Sequence, residues 1–136
     1  MRRIGRTGLF GCLVFACFGL GTVALAHTAS SPTKVVLDRL TQTGEGPELE
    51  GHFVGHLRSP SQKCLRGRTV KLFLRNGNTG ESRLADTDNT GKLGHWRLDG
   101  NLFTIDRARI KVTRNDVGSG KHRRICEPDS LSRFFA

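Results

Sequence analysis

Apolar side chains recur at every second position in short runs along this chain, and Gly, Asn, Asp and Pro separate the runs. The clearest run covers residues 49–57. There Leu49, Gly51, Phe53, Gly55 and Leu57 fall on one face, and Glu50, His52, Val54 and His56 fall on the other. Strand side chains alternate between two faces, so the first set marks a core-facing side. Similar alternation places Val35 and Leu37 inward in a strand over 34–40, and Val70, Leu72 and Leu74 inward over 69–75 with Lys71 and Arg75 outward. Further strands are predicted over 81–86, over 93–98 with Trp96 and Leu98 inward, and over 102–113 with Ala108, Ile110 and Val112 inward. Trp96 is the expected centre of the core. Residues 76–80, Asn-Gly-Asn-Thr-Gly, supply the positive-φ residues of a hairpin, and residues 86–91 form a second turn cluster. No helical period beyond a turn or two follows residue 26. This pattern predicts an all-β fold of about seven strands in a sandwich or barrel.

The first 26 residues differ in kind. Arg2, Arg3 and Arg6 precede an apolar stretch over residues 9–25 that closes on Ala24-Leu25-Ala26. A basic start, an apolar middle and an A-x-A end make a cleavable secretory signal, which forms a helix only until removal. Residues 27–33 read as a flexible lead-in, residues 34–136 as one β-domain, and no membrane span is expected after cleavage. Cys12 and Cys17 leave with the signal, so Cys64 and Cys126 allow one pairing. In an oxidising compartment their bond closes a loop of 62 residues and stabilises the fold by about 4 kcal/mol on a chain-entropy estimate.

Of 22 basic residues, 19 remain after cleavage against all 12 acidic ones, so the domain carries about +7 instead of +10. In an exported protein this charge points to anionic envelope polymers or acidic surfaces rather than to genomic DNA. Arg107, Arg109 and Lys111 project from one face of one predicted strand, and Lys121, His122, Arg123 and Arg124 follow in a glycine-containing loop. Together Arg107, Arg109, Lys111, Lys121, Arg123 and Arg124 are the candidate binding patch. No aromatic residue interleaves with them in the sequence, so neither base stacking nor nucleic-acid specificity is expected.

A set of positions along nearly the whole domain looks familiar. Gly51 and Phe53 are followed by Cys64, Leu65, Gly67, Arg68, Val70 and Leu72, then by Asp86, Thr87, Asp88 and Gly91 before Trp96, then by Ala108, Ile110, Val112, Cys126 and Ser130. The set resembles small secreted bacterial proteins built like carboxypeptidase regulatory, or prealbumin-like, domains. That resemblance implies a seven-stranded Greek-key, Ig-like sandwich, a bond from a cysteine after the second strand to one near the last, and an adhesion, stalk or accessory role. It implies no activity, because fold does not fix function. Phe103 occupies the aromatic position of the penultimate strand, and Asp106 stands where an apolar residue is expected.

Catalytic frames are missing. His52 and His56 are four residues apart, and in a strand that spacing of about 13 Å separates them too far for one metal ion, so both are read as solvent-facing. Asp86, Asp88 and Thr90 before Gly91 mimic the opening of a calcium loop, but its twelfth position is Arg97 instead of a bidentate glutamate. Gly118-Ser119-Gly120-Lys121 lacks the first glycine and the final Ser or Thr of a phosphate loop. There is no G-x-S-x-G, no H-E-x-x-H and no unpaired cysteine after residue 26. The expectation is a non-catalytic binding module without a cofactor. A second reading rests on His27, which cleavage makes N-terminal and whose amine and ring nitrogen then form a copper-binding pair.

Overall fold

The computed structural model describes residues 28–136. The signal sequence over 1–26 and the copper candidate His27 lie outside the described residues. The described residues form ten strands: β1 (Ala29–Ser31), β2 (Lys34–Thr43), β3 (Glu50–Arg58), β4 (Thr69–Asn76), β5 (Ser82–Asn89), β6 (His95–Asn101), β7 (Ile105–Val112), β8 (Asn115–Val117), β9 (Arg124–Cys126) and β10 (Asp129–Phe134). Seven of them make two sheets, one in the order β10-β7-β4-β5 and one in the order β2-β3-β6. The other three form a small sheet, β1-β9-β8, in which β1 runs parallel to β9. Among the described residues no helix is long and apolar enough to cross a membrane.

The alternation read from the sequence sets the inner faces. Phe53, Leu57, Val70, Leu72, Leu74, Trp96, Leu98, Ala108, Ile110 and Val112 are buried in one cluster that joins both sheets. Each large side chain removed from water in this way contributes about 1.5–3 kcal/mol. Trp96 is a buried member of the cluster, and β3 makes room for it. Gly55 is its register partner, and a Cβ at that position would collide with the Trp96 ring and with the carbonyl oxygen of Val36. Glycine in mid-strand is unfavourable by itself. Here it leaves the space that the Trp96 ring occupies beside β3.

Aspartates close the open sides between the two sheets. Asp86 and Asp88 of β5 accept from the backbone N–H groups of Asp99 and Arg97 on β6, both at 2.8 Å. At the opposite side Asp129 of β10 accepts from the N–H of Val35 on β2, also at 2.8 Å. Side-chain carboxylates thus occupy donors that a bare strand edge would offer to another chain.

Three sequence expectations change. Residues 27–33 were expected to be a loose lead-in, yet Ala29–Ser31 pairs with β9, and Ser31 and Thr33 are buried. Residues 86–91 were expected to be a turn, but β5 continues to Asn89, because its backbone stays paired with β4 as far as Thr69, while the Asp86 and Asp88 side chains reach β6. The strand predicted to begin at residue 102 begins at Ile105, since Thr104 takes a positive φ of 62° and the N–H of Ile105 folds back to the carbonyl of Leu102. That turn buries Leu102 and leaves Phe103 on the surface.

Candidate polyanion-binding face

Strands β4 and β7 are antiparallel neighbours, and their outward residues stand directly opposite one another. Lys71 faces Lys111, Phe73 faces Arg109, and Arg75 faces Arg107. On the far side of β7, β10 sets Ser130 opposite Lys111, Ser132 opposite Arg109 and Phe134 opposite Arg107. On the far side of β4, β5 sets Thr87 opposite Lys71, Leu84 opposite Phe73 and Ser82 opposite Arg75. The outer face of the four-stranded sheet therefore carries five cations in two columns, with Phe73 between them and exposed Leu84 and Phe134 at its flanks.

Like charges placed directly opposite across two strands repel. Among the described residues one carboxylate pairs with these cations: Asp106 lies 3.4 Å from Arg75, with both side chains about 40% exposed. Arg109 donates to the Ser130 hydroxyl at 3.3 Å, and Lys71, Arg107 and Lys111 form no ion pair among the described residues. Phe73, Arg75, Ser82, Arg107, Arg109 and Lys111 line a shallow cleft of about 160 Å³. That is well below the roughly 300–1,000 Å³ of ordinary ligand pockets and suits a single sulfate, phosphate or carboxylate group.

The second half of the predicted patch lies elsewhere. Lys121 falls in the turn Gly120–His122, while Arg123 and Arg124 precede or begin β9 of the small sheet. Arg123 pairs with Asp116, which also accepts from Arg114 at 3.2 Å. These two arginines, Arg123 first, hold the Asp116 carboxyl below its ordinary range. Arg124 donates to the Ser31 hydroxyl at 2.7 Å. Arg123 and Arg124 are thus engaged within their own sheet, and Lys71 and Arg75 complete the face in their stead. The expectation that no aromatic accompanies the cations is also corrected, since Phe73 and Phe134 come from neighbouring strands and could not be seen along β7 alone. The alternation over 69–75 held the signal, because it puts Lys71, Phe73 and Arg75 on the side opposite the core.

The outer face of the three-stranded sheet holds the histidines, and they are not simply solvated. His52 bonds through Nδ1 to Asp99 at 2.7 Å and through Nε2 to the Thr43 hydroxyl at 3.1 Å. His56 bonds through Nδ1 to Asp38 at 2.8 Å, and its ring centroid lies 6.1 Å from that of His95. Hydroxyl, imidazole and carboxylate are connected in the order of a proton relay, but these residues line neither the basic cleft nor the larger groove between β2 and β10. Among the described residues no group of three or more His, Cys, Asp and Glu side chains is placed to hold a metal ion.

The residue that sequence reading most underrated is Arg68, which is fully buried. Its Nη1 donates to the Thr33 hydroxyl at 3.0 Å and the Cys64 carbonyl at 2.8 Å. Its Nη2 donates to the carbonyls of Thr113 at 2.8 Å, Glu127 at 3.0 Å and Cys126 at 3.5 Å. Among the described residues no carboxylate pairs with it, and burial lowers its pKa. The Cys64–Cys126 disulfide, with Cα atoms 5.3 Å apart, ties together two of the segments that this guanidinium gathers.

No family model, curated protein or solved structure matches this chain.

Proposed function

We propose that this protein is a secreted or surface-associated, non-catalytic binding module that holds anionic envelope polymers on the outer face of its four-stranded sheet. The reading needs no cofactor. Its carrying observation is the direct opposition of Lys71 with Lys111 and of Arg75 with Arg107. A polymer that lays successive sulfate, phosphate or carboxylate groups along the two columns relieves both repulsions at once. The cleft beside Arg109 takes one such group, and Phe73 and Phe134 offer flat apolar surface to sugar rings between them. Contacts of this kind weaken steeply with added salt.

The strand order β10-β7-β4-β5 over β2-β3-β6 supports an Ig-like Greek-key sandwich, as expected of the carboxypeptidase regulatory-like, or prealbumin-like, type. In that setting an accessory or adhesive role fits better than catalysis.

The test is retention on a heparin column at low salt. Reversing Arg107, Arg109 and Lys111 to Glu should lower the eluting salt concentration far more than reversing the exposed Lys63, Arg66 and Lys92, although both variants change the net charge equally. Equal elution of the two would assign retention to net charge alone and end the reading.

A further inference from the structure

A second groove borders the basic face at Ser130, which lines it and accepts from Arg109. It occupies about 910 Å³ between the start of β2, the end of β3 and the start of β10. Its floor is the edge of the core, where Val35 and Leu57 are all but fully buried. Leu65, Leu131 and Pro60 supply further apolar wall. A concave apolar surface of this size is in the range that small ligands fill.

Two features of the lining narrow the occupant. The side chains of Thr33, Ser59, Ser130 and Asp129 already accept hydrogen bonds from Arg68, the N–H of Ser61, Arg109 and the N–H of Val35 respectively. An acyl chain needs no polar partner along its length, which suits the apolar wall of Leu57, Leu65 and Leu131. The remaining charged residues, Lys34 and Arg58, are exposed, are register partners, and form no ion pair among the described residues. Two cations directly opposite one another disfavour the empty site. A carboxylate between them removes the repulsion and gains charge-assisted hydrogen bonds.

We infer that this groove binds a long-chain fatty acid, with the alkyl chain along Leu57, Leu65 and Leu131 and the carboxylate between Lys34 and Arg58. The carboxylate position is distinct from the polyanion face, since neither cation belongs to the β4 and β7 columns, although the two sites meet at Ser130. The complex forms without covalent chemistry.

The test uses palmitate labelled with ¹³C at the carboxyl carbon, kept below its aggregation limit, with hexadecanol as the uncharged match. The parent protein should bind palmitate saturably, shift its carboxyl resonance, and prefer it over hexadecanol by about tenfold, the scale of one charge-assisted contact. Lys34→Gln with Arg58→Gln, both at exposed positions, should abolish that preference and the resonance shift while hexadecanol binding persists. Leu131→Gln should weaken both ligands, with its melting curve showing that it is folded. Arg107→Glu should change neither. Absence of saturable palmitate binding, equal binding of alcohol and acid by the parent, or an undiminished preference in the double glutamine variant would each overturn the assignment. Loss of palmitate binding in the Arg107 variant would move the anion site to the other face and overturn it as well.

Discussion

Arg68 and Arg107 both belong to the neighbourhood of the four-stranded sheet, one immediately before β4 and the other inside β7, yet the protein handles their charges in opposite ways. Arg68 is fully buried, pairs with no carboxylate among the described residues, and donates to five oxygens from four separate stretches of chain. The planar fork of a guanidinium suits this, because its donors radiate in fixed directions and reach several carbonyls at once. Arg107 is half-buried and faces another arginine. The contrast separates charge that organises the fold from charge that the fold holds outward and leaves unneutralised. It also explains why the small sheet exists: β1, β9 and the segment after β7 have little apolar surface to bury, and Arg68 with the disulfide gathers them instead.

The strongest way to break this comparison is to remove the buried charge. Arg68→Met keeps the volume and deletes all five hydrogen bonds, which leaves buried acceptors unsatisfied at about 1–3 kcal/mol each, though these costs do not simply add. A loss of about 4 kcal/mol or more is expected by urea unfolding, from a total of about 5–15 kcal/mol for a domain of this size. Arg68→Lys should recover only part of it, because three ammonium donors on one centre cannot reach acceptors so widely spread. A Met variant within about 1 kcal/mol of the parent would mean that buried and exposed arginines are equivalent here.

Next in size is the disulfide. Cys126→Ser should cost about 2–5 kcal/mol, and protease resistance should fall first over β9 and β10. Because the carbonyls of Cys64 and Cys126 are also acceptors for Arg68, the double variant with Arg68→Met should lose less than the two single losses combined. Additive losses would show the bond and the arginine to be separate fastenings, and two free thiols by mass spectrometry would remove the bond from the account altogether.

How much of this was legible in the sequence depends on whether a signal runs along one strand or across several. The core residues of β3, β4, β6 and β7 follow from alternation, and the cysteine pair follows from there being only two candidates after residue 26. Arg107, Arg109 and Lys111 could be placed on one face by the same reasoning. Their partners Lys71, Phe73 and Arg75 could not be joined to them, because register between β4 and β7 is a tertiary property set by the long path between them. Arg68 carried no sign of burial: it sits between a glycine and a strand, where a solvated arginine is ordinary, and its acceptors are mostly backbone carbonyls that no residue type announces. Asp86 and Asp88 looked like turn residues for the same reason, since their carboxylates bond to backbone N–H groups on another strand.

The smallest expected effect is the one that tests the outer face most sharply, because its sign is unusual. Arg107→Glu places a carboxylate directly opposite Arg75 and next to Phe134 in register, on a face where neither position is buried. Replacing a like-charge cross-strand pair by an opposite-charge one is worth about 0.2–1 kcal/mol, so the variant should be slightly more stable than the parent, not less. Salt should shrink the gain, since these groups are solvated and screened. The same substitution should lower retention on heparin. A side chain that decreases stability while increasing affinity for anions is one whose placement serves binding. If Arg107→Glu instead lowers stability by 1 kcal/mol or more at low salt, the arginine is holding its sheet together through its packed stem, and the two arginines differ in degree of burial but not in the task that they perform.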